Sequence, residues 1–169
     1  MRFCPRQSLY WSSCAFVALV LASQAEEWQQ TGWGGGGYYW AAAYHPTQDG
    51  VIYMAGDCCG VYKTENHGGQ WRIVNRGLAS YAVYSLAVDR THPQTVYAST
   101  EDGLCKSVDG GESWRLLPHT GPRELRLTGE REKSFRALAV DPQNGDVLYA
   151  ASPAGQYLQA HGVAPADFN

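Results

Sequence analysis

The sequence predicts an all-β fold: a partial β-propeller of about two and a half four-stranded antiparallel blades, after a signal peptide. Three observations carry that expectation. The segment Lys106-Ser107-Val108-Asp109-Gly110-Gly111-Glu112-Ser113-Trp114-Arg115 echoes Lys63-Thr64-Glu65-Asn66-His67-Gly68-Gly69-Gln70-Trp71-Arg72, which lies 43 residues upstream. That interval falls within the roughly 40 to 50 residues typical of propeller blades, each one small sheet stacked beside the next. A Tyr-centred apolar strand occurs as Val51-Ile52-Tyr53-Met54-Ala55, Thr95-Val96-Tyr97-Ala98-Ser99 and Val147-Leu148-Tyr149-Ala150-Ala151. Ahead of these copies stand Ala41-Ala42-Ala43-Tyr44-His45-Pro46, Leu86-Ala87-Val88-Asp89 and Leu138-Ala139-Val140-Asp141-Pro142, each ending in a polar turn. Such a unit cannot bury its own faces and is stable only between neighbours.

The elements follow in order. Residues 1–25 read as a signal peptide: Arg2 and Arg6 form a basic start, 14–21 an apolar run, and Ser23-Gln24-Ala25 a small-residue cleavage site. The apolar run is shorter than the stretch of about 20 residues needed to span a bilayer. A secreted or periplasmic location follows, with no integral membrane association once the signal is cleaved. The incomplete propeller occupies 26–158, with blades at about 38–75, 82–117 and 135–158, and 159–169 form a tail outside the repeat. Within a blade, inner strand A precedes the Tyr-bearing strand B, a short strand C such as Gly60-Val61-Tyr62 follows, and Trp opens strand D. His45 and His92, beside prolines, are read as A-to-B turn residues.

With 44% hydrophobic and 12% aromatic residues, the composition is globular. A formal net charge of −3 and 17% charged residues leave no basic footprint for nucleic acid. After signal removal Cys58, Cys59 and Cys105 remain in an oxidising compartment, which predicts one pair and one free buried thiol. No His stands at a ligand-like spacing from them, so neither a metal nor another cofactor is expected.

Ser107-x-Asp109-x-Gly111-x-x-Trp114 resembles the Asp-box (BNR) repeat of sialidases, sortilin-like receptors and other propellers. Thr64, Asn66, Gly68 and Trp71 fill the same roles one blade earlier. An Asp or Asn side chain is expected to bond the backbone two residues on, Gly to supply positive φ, and Trp to pack between sheets. A turn repeated from blade to blade is architecture, and one such turn offers too few oxygens for calcium.

A sharper signal lies ahead of the first blade, in Trp33-Gly34-Gly35-Gly36-Gly37-Tyr38-Tyr39-Trp40, and in the B-to-C turn Gly56-Asp57-Cys58-Cys59-Gly60-Val61-Tyr62-Lys63. Together with His45-Pro46 and Ile52-Tyr53, these resemble the amino-terminal blade of xyloglucanase-type glycoside hydrolases of family 74. The resemblance implies that Asp57 is one of two catalytic carboxylates, with the general base as its role. Gly35, Gly36, Gly37, Tyr38 and Trp33 become candidate substrate contacts, while Trp40 is expected in a core or inter-blade position. In an up-and-down meander, D-to-A and B-to-C connections share one end, which puts Asp57 with the glycine run and with the insertion 118–133. The Asp-box turns belong to the opposite end. Cys59 departs from the family's Gly, and the second carboxylate comes, in the family, from another propeller. Inverting hydrolysis needs that partner roughly 6.5 to 9.5 Å away. Asp102-Gly103 offers the local substitute but reads more simply as a tight turn.

The third copy lacks an Asp-box and a Trp-initiated strand D. Since a propeller closes with about 4 to 8 blades, further blades of a longer chain are expected as partners, and this chain alone is expected to be inactive. Polysaccharide is the anticipated ligand. The alternative is a non-catalytic Asp-box propeller that binds a protein, similar to sortilin or to photosystem assembly factors.

Overall fold

The computed structural model describes residues 37–120 and 135–152, together with the backbone of 157–160. Among the described residues there are eleven strands and no helix. The first sheet takes β1 (Tyr39–Tyr44), β2 (Ile52–Gly56), β3 (Gly60–Thr64) and β4 (Arg72–Ile73) in chain order. The second repeats it with β5 (Val83–Val88), β6 (Val96–Thr100), β7 (Gly103–Ser107) and β8 (Arg115–Leu116). The third holds β9 (Ala137–Val140), β10 (Leu148–Ala151) and β11 (Tyr157–Ala160). All neighbouring strands are antiparallel, so each sheet is the expected meander and the chain is a partial β-propeller. β11 runs to Ala160, two residues past the limit expected for the repeat. Residues 1–25, which the sequence reads as a signal peptide, Trp33, Gly35, Gly36 and most of the segment 118–133 lie outside the described residues.

The sheets share their detailed register as well as their order. Tyr53 sits opposite Lys63 and Tyr97 opposite Lys106, and the inner strands of both blades break register at the same place, between Tyr39 and Ala41 and between Val83 and Ser85.

The core lies between blades. Tyr53, Ala55, Val61 and Val74 of the first blade pack against Val83, Leu86, Cys105 and Trp114 of the second. Tyr97, Leu104 and Leu117 pack in turn against Phe135, Leu148 and Ala150. Full burial of each large side chain contributes about 1.5–3 kcal/mol. Strand-B tyrosines show what a neighbour does: Tyr53 and Tyr97, each covered by the next blade, have 0% exposure, whereas Tyr149 of the last described sheet has 44%. The Tyr53 hydroxyl donates to the carbonyl of Gly110 at 3.1 Å, and that of Tyr97 to Gly145 at 3.5 Å.

The other flank is equally bare. Trp114 is buried and its Nε1–H donates to the Val74 carbonyl at 2.7 Å, while its repeat counterpart Trp71 is only partly buried. Trp40 is 52% exposed, against the core position expected for it. Tyr44 and Ile73 are exposed on this blade too.

Candidate functional site

The two ends of the blades are built differently. At one end the repeated turns close on themselves. Thr64 Oγ1 accepts from the Gly68 N–H at 3.0 Å, and Asn66 Oδ1 from the Gln70 N–H at 2.8 Å. Ser107 Oγ accepts from the Gly111 N–H at 2.8 Å, and Asp109 Oδ1 from the Ser113 N–H at 2.9 Å. The Asx acceptor thus reaches the backbone four residues on, not two. Three residues lie inside each ring instead of one, with Gly68 at φ 87° and Gly111 at φ 88°. Burial alone would raise the Asp109 carboxyl, yet hydrogen bonds from Ser113 and Ser107 outweigh it and hold the group below the usual carboxylate range.

This end also ties blade to blade. Glu112 forms a two-pronged ion pair with Arg72 of the preceding blade and lies 3.5 Å from Lys63 Nζ. Lys63, buried, also meets Glu65 at 3.0 Å and lies over the Tyr53 ring. Nearby, His45 Nδ1 accepts from the Gln48 N–H at 2.9 Å, as a turn residue should. Burial, followed by the Lys63 charge, lowers its pKa.

At the other end stands the turn between β2 and β3. Asp57 Oδ1 accepts from the Tyr38 N–H at 3.1 Å, and the Asp57 N–H donates to the Tyr38 carbonyl at 3.0 Å. The last glycine of the run and the Asp57 turn are therefore joined, as the meander requires. Gly37 has φ 112°, and a Cβ there would stand 2.8 Å from Asp57 Oδ1 and 3.2 Å from Cys58 Sγ. No other residue fits that place without displacing the carboxylate. At Gly56 a Cβ would stand 2.6 Å from the Tyr38 carbonyl oxygen and 3.2 Å from Cys59 Sγ.

The turn is braced from behind by a residue whose role the sequence did not reveal. Asn75 Oδ1 accepts from the Val61 N–H at 2.8 Å, and its Nδ2 donates to the Cys59 carbonyl at 3.0 Å. Asn75 follows strand D, where it reads as an ordinary turn residue before Gly77. The Gly60 N–H reaches across to the Tyr81 carbonyl at 2.9 Å.

Cys58, Cys59 and Cys105 are all free thiols, so the expected pair is not formed. Cys105 is sealed in the layer between the first two blades, and Cys58 stands exposed at the turn. Hydrogen bonding to Asp57 pushes the Cys58 thiol up to about 11. Burial, then the charge of Cys59, pushes Tyr62 up to about 12. The ligand atoms of Asp57, Cys58 and Cys59 lie within 4.8 Å of one another. Beside them Tyr38 and Trp40 are exposed and stacked, with ring centroids 5.9 Å apart and planes at 30°.

No family model matches the chain. A xyloglucanase of Hypocrea jecorina (strain QM6a) is 29% identical over 162 aligned positions, covering 83% of this chain. Xyloglucanase Xgh74A of Acetivibrio thermocellus is 29% identical over 144 positions, covering 74%. The chain spans only 18% and 16% of the lengths of these two relatives. Among solved structures, an ancestral GH74 enzyme superposes with a TM-score of 0.60 at 30% identity, covering 76% of this chain and 15% of that one. In sequence and in fold, the chain is similar to a portion of the family 74 xyloglucanases, which are β-propellers.

Proposed function

We propose that this chain supplies the first blades of a secreted, xyloglucanase-type propeller that engages polysaccharide, with residues 1–25 as its signal peptide and Asp57 as general base. The observation that carries the reading is the joint made by Asp57 with Gly37 and Tyr38, next to the exposed Tyr38–Trp40 stack. A carboxylate whose Oδ1 is aligned by a backbone N–H is oriented for proton transfer at a position that small residues leave open. Flat exposed aromatic rings offer the apolar faces of sugars a surface to stack on. Gly35, Gly36 and Trp33 extend the same segment as candidate substrate contacts. Similarity to two xyloglucanases adds the substrate class. The general acid belongs to further blades of a longer protein, so the 169-residue chain by itself gives no turnover.

The test is a chimaera in which this chain replaces the matching segment of the Hypocrea jecorina xyloglucanase, assayed on xyloglucan with and without Asp57→Asn. Loss of a general base costs roughly 10²- to 10⁴-fold in rate. An Asp57→Asn chimaera as fast as its parent removes Asp57 from the mechanism. An inactive chimaera that also fails to bind xyloglucan moves the weight to a protein-binding propeller.

A further inference from the structure

We propose that the turn carrying Asp57, Cys58 and Cys59 is a binding site for a thiophilic divalent cation, zinc foremost, held by two thiolates and one carboxylate. The inference goes beyond the hydrolase reading and does not depend on it.

Three features of the turn support it. First, the three ligand atoms already lie within 4.8 Å of one another. Tetrahedral zinc with Zn–S bonds of about 2.3 Å sets its sulfurs about 3.8 Å apart, so closure asks for a shift of at most about 1 Å. Cys58 is exposed and has room to make it. Second, the space around the ligands is kept clear by glycine. A Cβ on Gly37 would crowd Asp57 Oδ1 and Cys58 Sγ, and one on Gly56 would stand 3.2 Å from Cys59 Sγ. Third, the turn is held before any ligand arrives, by Tyr38 on Asp57, Asn75 on the Cys59 carbonyl and Tyr81 on Gly60. A preset turn loses little conformational freedom on binding.

The donor set also selects the ion. Two thiolates with one carboxylate suit zinc and disfavour calcium and magnesium, which prefer all-oxygen shells. Expecting a histidine at ligand spacing hides such a site, because here the third donor is the aspartate adjacent in sequence. Three protein ligands leave one of the four zinc positions for water or another small ligand. Binding releases the thiol protons as the cation takes their place.

Cobalt(II) serves as the probe, added to the reduced 169-residue chain. The expected result is one equivalent of cobalt with a thiolate-to-metal charge-transfer band, displaced by zinc and unaffected by a large excess of magnesium. Cys58→Ser and Cys59→Ser each remove the band, and Asp57→Asn weakens affinity by more than about tenfold, the lower bound even for outer partners of a metal site. Cys105→Ala, which alters only the buried thiol, retains it. Should Cys105→Ala change core packing, Cys58→Ser and Cys59→Ser still report separately, since both lie on the exposed turn. Absence of the band in the parent chain, or its persistence in Cys58→Ser and Cys59→Ser together, overturns the proposal. Cys58→Ser and Cys59→Ser leave Asp57 in place, so failure of the cobalt site and failure of the xyloglucan assay with Asp57→Asn are read separately.

Discussion

Tyr53→Phe, Tyr97→Phe and Tyr149→Phe change the same repeat position in three different surroundings. If blades are stabilised by the blade that follows, the three substitutions differ in a defined order. Tyr53 is fully buried, and its hydroxyl bonds the Gly110 carbonyl at 3.1 Å. Removing that donor leaves a buried carbonyl short of a partner, at a cost of about 1–2 kcal/mol. Tyr97 is equally buried but its bond to Gly145 is 3.5 Å long, so its loss costs about 0.5–1 kcal/mol. Tyr149 is 44% exposed, and its loss stays within about 0.5 kcal/mol.

Equilibrium urea unfolding, followed by tryptophan fluorescence, reads these differences. With a slope of about 1.5 kcal/mol per molar urea, Tyr53→Phe moves the midpoint down by about 1 M and Tyr149→Phe leaves it nearly unchanged. Phe retains the ring, so packing is conserved and the hydroxyl is isolated. Equal shifts at Tyr53 and Tyr149 would refute the claim that a following blade gives the buried tyrosine its stabilising role.

Two further predictions concern the scaffold. Gly77 has φ 82°, and a Cβ on it runs into the Trp114 backbone carbonyl, which has no side-chain freedom to yield. Gly77→Ala therefore costs about 1–3 kcal/mol, and an unchanged urea midpoint contradicts the strained geometry. Acidification supplies the other. Burial, then Lys63, lowers the His45 pKa in the folded chain, so the unfolded chain binds the proton more readily and stability falls as pH drops below about 6.5. Asp109, held below its usual range, adds a second loss at more acid pH as its carboxylate is protonated. Melting temperatures between pH 8 and pH 5 follow the first loss, which His45→Gln flattens; an equally steep profile in that variant assigns the effect elsewhere.

Strand order and blade register were legible because they rest on local patterns: alternating apolar residues, repeated glycine turns and a tyrosine at a fixed place. Connectivity then put Gly37 and Asp57 at one end, where two hydrogen bonds through Tyr38 join them. Burial was less legible, because Tyr53, Tyr97 and Tyr149 sit in near-identical local sequence and differ only in what packs on them. Trp40 misleads for the same reason: an aromatic strand residue suggests a core, but a core needs a neighbour on that side. Asn75 was invisible because its task is to satisfy the N–H of Val61 and to reach the carbonyl of Cys59, 16 residues earlier. Adjacent cysteines cannot be paired from spacing alone, and only side-chain placement shows Cys58 and Cys59 gathered with Asp57 rather than bonded to Cys105.

The division between the two ends has a physical origin. At the repeated-turn end, the hydroxyl of Tyr53, the ammonium of Lys63, the Asp109 carboxylate and the Glu112 carboxylate each have partners within the scaffold, and several span neighbouring blades. Groups engaged in that way are costly to redirect toward a ligand, since doing so breaks bonds that hold the turn closed or neighbouring blades together. At the other end the Asp57 turn is positioned by backbone contacts, by Asn75 and by the bond that Asp57 Oδ1 accepts from the Tyr38 N–H. Cys58 and Cys59 place two soft donors next to the carboxylate and lie outside the cluster of residues that packs the first two blades together.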